Sequence, residues 1–209
     1  MARANVTAKG AASAGRVIAG TARGRSLASP GEGTRPIGDR VKQTLFAILE
    51  PTIRDRSSLD LFAGSGAAGI EALSRGAREA LFVERDPGAV QVIQRNLAAT
   101  SLAGPNARVI RSQVGTWCNS GPKPGAPYAG IVIDPPYDLP ELLEAALAAV
   151  ASAGPGGLLA PDGFVVAKHF WKTPPPARIG LLRSARERRF GETTLTFLTW
   201  AEAEGEEER

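Results

Sequence analysis

The chain of 209 residues holds one cysteine, one histidine and one methionine, and only 6% of it is aromatic. Cys118 has no second cysteine to pair with, so an internal disulfide framework is excluded. Cys118 and His169 together cannot supply the ligand set of the usual structural zinc site, and no metal is expected. No apolar run reaches the roughly 18 to 20 residues that a bilayer span needs. The first 15 residues are small, polar and basic with no apolar h-region, which argues against a secretory signal; a transit peptide would share their composition, since the first acidic residue is Glu32. What is present is ordinary for a globular chain: 43% hydrophobic and 22% charged residues, with 24 glycines and 16 prolines to punctuate turns. The length predicts one domain with a small appendage, and the expectation is a cytoplasmic monomer with no membrane partner.

The net charge of +4 is unevenly spread. Residues 1–56 carry ten basic against four acidic groups, residues 57–199 fourteen against twelve, and the last ten residues five glutamates and one arginine. A basic front end favours a polyanionic partner, with a merely solvated surface as the plainer alternative. The expected organisation is a disordered basic arm over 1–15, a hairpin and helix extension over 16–56, a main domain over 57–200 and a solvated acidic tail over 201–209.

Arg16 to Gly20 and Thr21 to Leu27 flank a glycine-punctuated basic turn and predict a small β-hairpin with Arg23 and Arg25 near its bend. From Asp39 the apolar residues Val41, Leu45, Ile48 and Leu49 recur at helical spacing, and Pro51 reads as the stop. Beyond that, apolar segments at Leu59 to Ala63, Ala80 to Val83, Arg108 to Ile110, Ala129 to Ile133 and Phe164 to Ala167 predict buried strands. Helical patterns lie between several of them, at Ala67 to Ser74, Pro87 to Ala99 and Pro140 to Val150. This alternation predicts an α/β fold with a mostly parallel sheet covered on both faces. Ile179 to Ser184 and Thr193 to Trp200, joined by the basic stretch Arg186 to Arg189 and Gly191, predict a terminal antiparallel pair. Trp117, Trp171 and Trp200 read as core or edge residues, His169 as a packed or surface residue, and Cys118 as inert.

The chemistry-bearing residues lie at two strand ends. Leu59 to Gly69 runs from a strand into a helix with Gly64, Gly66 and Gly69 at G-x-G-x-x-G spacing, which allows a tight turn and close approach of a ligand. Glu84 ends the next strand 20 residues after Gly64, where such folds accept hydrogen bonds from ribose hydroxyls. A dinucleotide and S-adenosylmethionine fit these features equally. Asp134-Pro135-Pro136-Tyr137, directly after a buried strand, separates them. Its prolines remove donors and leave the Asp134 and Pro135 carbonyls as acceptors, while the carboxylate and the Tyr137 ring suit an exocyclic amine on a planar base.

The glycine loop and Asp-Pro-Pro-Tyr together resemble class I S-adenosylmethionine-dependent methyltransferases that act on an amino nitrogen, which implies a Rossmann-like fold. Arg16 to Gly20, Arg23 to Arg25, Thr34-Arg35-Pro36, Asp39 to Lys42, Leu45-Phe46, Phe62 to Gly66 and Glu71 to Gly76 further resemble the bacterial 16S rRNA (guanine(966)-N(2))-methyltransferase family. The match runs from about residue 16 to 200 and is strongest before residue 90. The resemblance implies that Asp60, Gly64 and Gly66 border the methionine part of the cofactor and that Glu84 holds its ribose, with Phe62, Ser65, Arg85 and Gln113 also binding the cofactor, and that Asp134 to Tyr137 grip a guanine. It implies 16S rRNA or an assembling small subunit as partner, contacted through Arg16, Arg23, Arg25, Arg35, Arg40 and Lys42. Two positions depart from the family pattern: Gln113 stands where Asn or Asp is common near the adenine, and Lys168 and His169 stand where the fifth strand often ends in Glu. Adenine-N6 methylation of DNA or RNA uses the same loop, and a nicotinamide-dependent oxidoreductase would use the same glycine turn.

Overall fold

The structure is a computed structural model that describes residues 13–31 and 37–201. Among the described residues ten strands and five helices follow in the order β1 (Ser13–Arg16), β2 (Ser26–Ala28), α1 (Asp39–Ile53), β3 (Ser57–Leu61), α2 (Ala67–Ser74), β4 (Glu79–Glu84), α3 (Pro87–Ala99), β5 (Ala107–Arg111), α4 (Val114–Cys118), β6 (Tyr128–Ile133), α5 (Pro140–Ser152), β7 (Leu159–Phe170), β8 (Arg178–Ile179), β9 (Leu182–Phe190) and β10 (Thr193–Trp200). Eight strands form one sheet in the order β5-β4-β3-β6-β7-β10-β9-β8. The first five run parallel, and β10 inserts antiparallel between β7 and β9. Apolar residues of β6 and β7 alternate between the two faces. On one face Ile131, Ile133 and Val165 pack with Trp117 of α4 and with Leu143 and Leu147 of α5. On the other, Val132, Val166 and Phe197 pack under Leu45, Phe46, Leu49 and Ile53 of α1. Each fully buried Leu or Phe here contributes roughly 1.5 to 3 kcal/mol of transfer free energy.

Several boundaries differ from the sequence reading, each for a local reason. The strand predicted to run to Ala63 stops at Leu61, because Phe62 turns the chain with φ +61°. Helix α1 passes through Pro51 and ends at Ile53. A proline near the helix end forfeits one hydrogen bond, whereas Ile53 is fully buried and, with Leu49, closes onto Gly130 so tightly that a Cβ there would meet Ile53 Cγ2 at 2.7 Å. The basic stretch 186–189 does not link two strands; it lies inside β9, the turn falls at 191–192, and the two-residue β8 adds a further antiparallel strand.

The hairpin exists, but its strands are β1 and β2, so residues 13–15, assigned to a disordered arm, are extended sheet. Residues 1–12, 32–36 and 202–209, which hold the rest of that arm and nearly all of the acidic tail, lie outside the described residues. The bend between β1 and β2 closes on itself, with Val17 N donating to the Arg25 carbonyl at 2.9 Å and Gly24 N to the Val17 carbonyl at 2.8 Å, and it also pairs with α2. Glu71 is fully buried and accepts from the Ile18 and Ala19 amides at 2.8 and 3.0 Å and from Arg75 Nε at 2.7 Å. Ser74 Oγ accepts from the Ala22 amide, and the Ser74 carbonyl at the helix end accepts from Thr21 N at 2.8 Å. Gly20, at φ +83°, is required there: a Cβ would sit 1.7 Å from the Ser74 carbonyl oxygen.

Replacing Glu71 by Ala leaves Arg75 and Lys42 buried without their shared counter-charge and frees two amides of the bend. A loss of about 3 to 5 kcal/mol is expected. Urea denaturation read by circular dichroism measures it, and a loss below about 1 kcal/mol would show that the carboxylate does not anchor the extension.

Candidate active site

The carboxyl ends of β3, β4, β6 and β7 open into one cleft of about 710 Å³, within the usual range for small-molecule sites. Asp60, Phe62, Gly64, Ser65, Glu84, Arg85 and Gln113 all line it, and so do the four residues of the Asp-Pro-Pro-Tyr loop. The chain reversal after β3 puts Gly64 at φ +54° and Gly66 at φ +77°. Gly66 does not line the cleft: it is buried beneath, where a Cβ would press on Ile93 Cγ2 at 3.1 Å. Asp60 Oδ2 accepts from the Gly69 amide at 2.9 Å, so this carboxylate fixes the first turn of α2. Burial, with the Asp134 and Glu84 charges adding to it, pushes the Asp60 carboxyl well above its usual range despite that hydrogen bond.

Glu84 braces the loop from the next strand. Its Oε2 accepts from Gly64 N at 2.8 Å and its Oε1 from Asp86 N at 2.9 Å, while a carboxylate retains further acceptor sites for a ligand diol. Asp86 in turn caps α3 through Ala89 N, with Pro87 at the first helical position. Asn96 of α3 donates to the Ser65 and Ala28 carbonyls, both at 2.9 Å, which ties the glycine loop to the hairpin. Gln113 is exposed at the start of α4, without a capping hydrogen bond of its own. Across the cleft the lining is mostly acidic: Asp60, Glu84, Asp86, Asp134 and Asp138 against Arg85 and Lys168. That charge balance, the diol acceptor and the glycine turn suit a nucleoside carrying a cationic group, and so fit S-adenosylmethionine.

The Asp134 amide donates to the Leu61 carbonyl at 3.3 Å, which fastens the acidic loop to the end of β3. Among the described residues no hydrogen bond reaches the Pro135 carbonyl. Lys168, at the end of β7, is 5% exposed, and its Nζ donates to Asp134 Oδ1 at 2.6 Å while lying 4.6 Å from the Tyr137 ring centroid. Burial raises the Asp134 carboxyl and Lys168 pulls it part of the way back; burial opposes the Lys168 charge, but Asp134 outweighs it and holds the ammonium above its ordinary value. The Tyr137 hydroxyl shares a hydrogen bond with Thr193 Oγ1 at 2.8 Å, and its ring meets Phe170 at 6.3 Å between centroids. Lys168 is a site residue to which the sequence reading gave no role; the available signal was a lysine closing an apolar strand beside the acidic one. Ala14, Ser29 to Gly31 and Ile37 also line the cleft, so the N-terminal segment closes one wall.

His169 is packed, with its ring nitrogens on the Phe170 carbonyl and Thr196 Oγ1, and burial lowers its pKa. Cys118 is held up by burial, which makes its thiol inert at neutral pH.

The basic residues expected to face RNA separate into different environments. Lys42 is fully buried, its Nζ donating to the Arg16 carbonyl, and it lies near Glu71 and Asp39; it is a structural cation and has no surface to offer. Asp39 pairs with Arg16 at 2.9 Å, not with Arg40 or Lys42. Arg25 donates to the Ala99 carbonyl at the end of α3 at 2.7 Å. Arg23 and Arg40 are exposed, and Arg35 lies outside the described residues.

Comparison with known proteins places this geometry. A family model described as Conserved hypothetical protein 95 matches residues 15–199. The chain is 38% identical over 179 residues to "Putative rRNA methyltransferase YlbH" of Bacillus subtilis, covering 85% of this chain and 95% of that one. It is 44% identical over 123 residues to "Ribosomal RNA small subunit methyltransferase D" of Escherichia coli, covering 58% of this chain and 60% of the relative. Among solved structures, "Putative methyltransferase yhhF" from Escherichia coli superposes with a TM-score of 0.78 at 32% identity, over 91% of this chain and 99% of the other. With the match spanning both the glycine loop and the acidic proline loop, this chain is a class I methyltransferase fold that belongs to the Conserved hypothetical protein 95 family.

Proposed function

We propose that this protein transfers a methyl group from S-adenosylmethionine to the exocyclic N2 amine of a guanine in small-subunit (16S) rRNA. The observation that carries the reading is that the glycine turn with Glu84 and the Asp134-to-Tyr137 loop line a single cleft at one sheet edge. The relatives named as rRNA methyltransferases support the substrate class. Asp60, Phe62, Gly64 and Ser65 would border the methionine end of the cofactor, Glu84 would accept from its ribose, and Arg85 and Gln113 would flank the nucleoside. Bound S-adenosylmethionine supplies a methyl already activated on a sulfonium, so the protein needs no nucleophile of its own.

The task left to the chain is alignment and charge. A guanine N2 lone pair is delocalised into the ring and must partly rehybridise before in-line attack. The amine would donate one hydrogen to Asp134 and the other to the Pro135 carbonyl, whose acceptors favour a tetrahedral, positive nitrogen over a planar neutral one. Tyr137, held by Thr193, would stack on the base. Lys168 occupies Oδ1 of Asp134, which leaves Oδ2 for the amine and fixes the carboxylate rotamer. A paired or stacked guanine cannot reach this loop, so the substrate base must be unpaired or turned out. An adenine N6 amine fits the same acceptors, and mass mapping of the methylated nucleotide separates the two.

Asp134→Ala removes the acceptor and should lower kcat by two to three decades, about 3 to 4 kcal/mol of transition-state stabilisation. Its affinity for S-adenosylmethionine by calorimetry should stay within about twofold of wild type; equal turnover on 16S rRNA by both proteins would remove Asp134 from the mechanism.

Lys168→Met tests the positioning role. Asp134 acts ionised, and Lys168 lowers its pKa, so removing the ammonium raises that pKa and moves the acid limb of the kcat profile to higher pH. A lower kcat with an unmoved acid limb would mean that the lysine only packs.

A further inference from the structure

The front end was the expected RNA surface, yet part of its charge is engaged within the chain: Lys42 is buried, and Arg16 and Arg25, though exposed, are held by Asp39 and by the Ala99 carbonyl at the end of α3. A second concentration of exposed positive charge lies toward the other end of the chain. Residues 171–190 contain six basic residues and one acidic one, more net positive charge than the whole chain carries. On β9, Arg186, Arg188 and Arg189 are exposed, and β8 covers only the far end of that strand, at Leu182 and Arg183. Arginines on an open edge guard against strand pairing with other chains, and that explains the charge. It does not explain Trp171.

Trp171 is 37% exposed and, with Leu181, is one of two exposed large apolar side chains among the described residues. Its ring carries the Arg189 guanidinium at 3.9 Å and Lys172 Nζ at 5.2 Å from the centroid. It also continues an aromatic series that begins in the active site: Tyr137 to Phe170 at 6.3 Å, then Phe170 to Trp171 at 6.2 Å. The sheet register extends the basic residues from the same place, since Lys168, Leu195 and Arg188 are partners across three strands. Arg188 is therefore two strands, roughly 10 Å, from the lysine that holds Asp134. Arg186 and Arg188 project from the face of β9 opposite to Arg189, so a single strand crossing this open edge meets the aromatic and guanidinium stack on one side and a row of arginines on the other, which matches the chemistry of a single-stranded nucleic acid: π-faces for bases, forked donors for phosphates.

We propose that Trp171 and Arg189, continued by Arg186 and Arg188 along β9, hold the RNA strand adjacent to the nucleotide being methylated. This rests on the reading of the site as an RNA methyltransferase. A base next to the target stacks on the Trp171–Arg189 pair, and the following phosphates meet Arg188 and Arg186. The target base is thereby presented to Tyr137 from the β9 side of the cleft. The tryptophan expected to be a core or edge residue becomes a stacking platform, while Trp117 and Trp200 are buried as expected.

The test uses the full chain and a short fluorescein-labelled single-stranded RNA, with wild type, Trp171→Ala and the double variant Arg186→Gln/Arg188→Gln. Trp171→Ala should weaken binding about tenfold, the loss of one stacked base. The double variant should lower the slope of log affinity against log salt by about 1.4, two phosphate contacts on a single strand. Both should keep wild-type affinity for S-adenosylmethionine, which shows that the fold is intact, and on 16S rRNA both should raise KM with kcat little changed. RNA affinity and KM unchanged in both variants would overturn the proposal, and so would a wild type that does not bind the RNA. Wild-type binding of polyglutamate more tightly than RNA, lost in the same variants, would assign the surface to an acidic protein and equally overturn it. Failure of the enzymatic reading looks different: RNA bound through Trp171 but no methyl transferred to rRNA would discard that substrate and leave the binding surface standing.

Discussion

A carboxylate with no exposure to water, Glu71, organises the half of the molecule that sequence pattern describes least well. It collects the Ile18 and Ala19 amides and Arg75, and Arg75 reaches on to Glu50 of α1 at 2.8 Å and lies over Phe46. One buried charge thus joins the hairpin, α1 and α2. A buried ion network is a poor source of net stability, because desolvation offsets much of the attraction, but it allows only one arrangement of the groups that satisfy it. The consequence for the site is positional. With the bend locked on α2, β1, β2 and the residues after them come to the mouth of the cleft, where Ala14, Pro30 and Ile37 form part of the wall. The small two-stranded sheet is therefore part of the active-site architecture as well as a neighbour of it.

The second organising feature is the convergence of strand ends. Asp60, Glu84, Asp134 and Lys168 close four neighbouring strands, and parallel register brings such positions to one edge without any further device. This is why the cleft was readable from sequence. The glycine spacing marked the reversal after β3, the distance to Glu84 marked its brace, and the doubled proline after an apolar run marked the loop of Asp134. Each signal is local, and the sheet does the assembling.

What pattern could not give were contacts between residues far apart in the chain. Lys42 looked like one more cation in a basic stretch, and only the approach of Glu71 and Asp39 makes it a buried structural charge. Lys168 looked like a departure from a family habit, and only the pairing of β6 with β7 places its ammonium on Asp134. Pro51 carried a strong local stop signal that the packing of Ile53 against β6 overrode. The arginines 186–189 read as a loop because charge is rare inside strands, yet an edge strand needs little apolar surface and is protected by charge. At Pro51 a tertiary contact outweighed a local preference of roughly 3 kcal/mol, and at the other three places surroundings built from residues distant in sequence, which no local pattern contains, decided the outcome.

The two signs of charge are sorted by depth. Inside the cleft the acidic residues outnumber the basic ones, whereas residues 171–190, outside its lining, carry six basic groups and one acidic one. A uniformly basic protein would attract RNA but repel a sulfonium from the pocket, and a uniformly acidic one would do the reverse. On the proposed reading, separating the fields would let each ligand meet the potential it needs, because water and salt screen exposed charges beyond about 10 Å while the partly buried cleft is screened much less. The same acidic lining favours a cationic cofactor over the neutral thioether that remains once the methyl has left. Under the proposed reading, Asp134 would bias the pocket toward the reactant form before any base arrives, and the loss of charge on transfer would weaken the hold on the product.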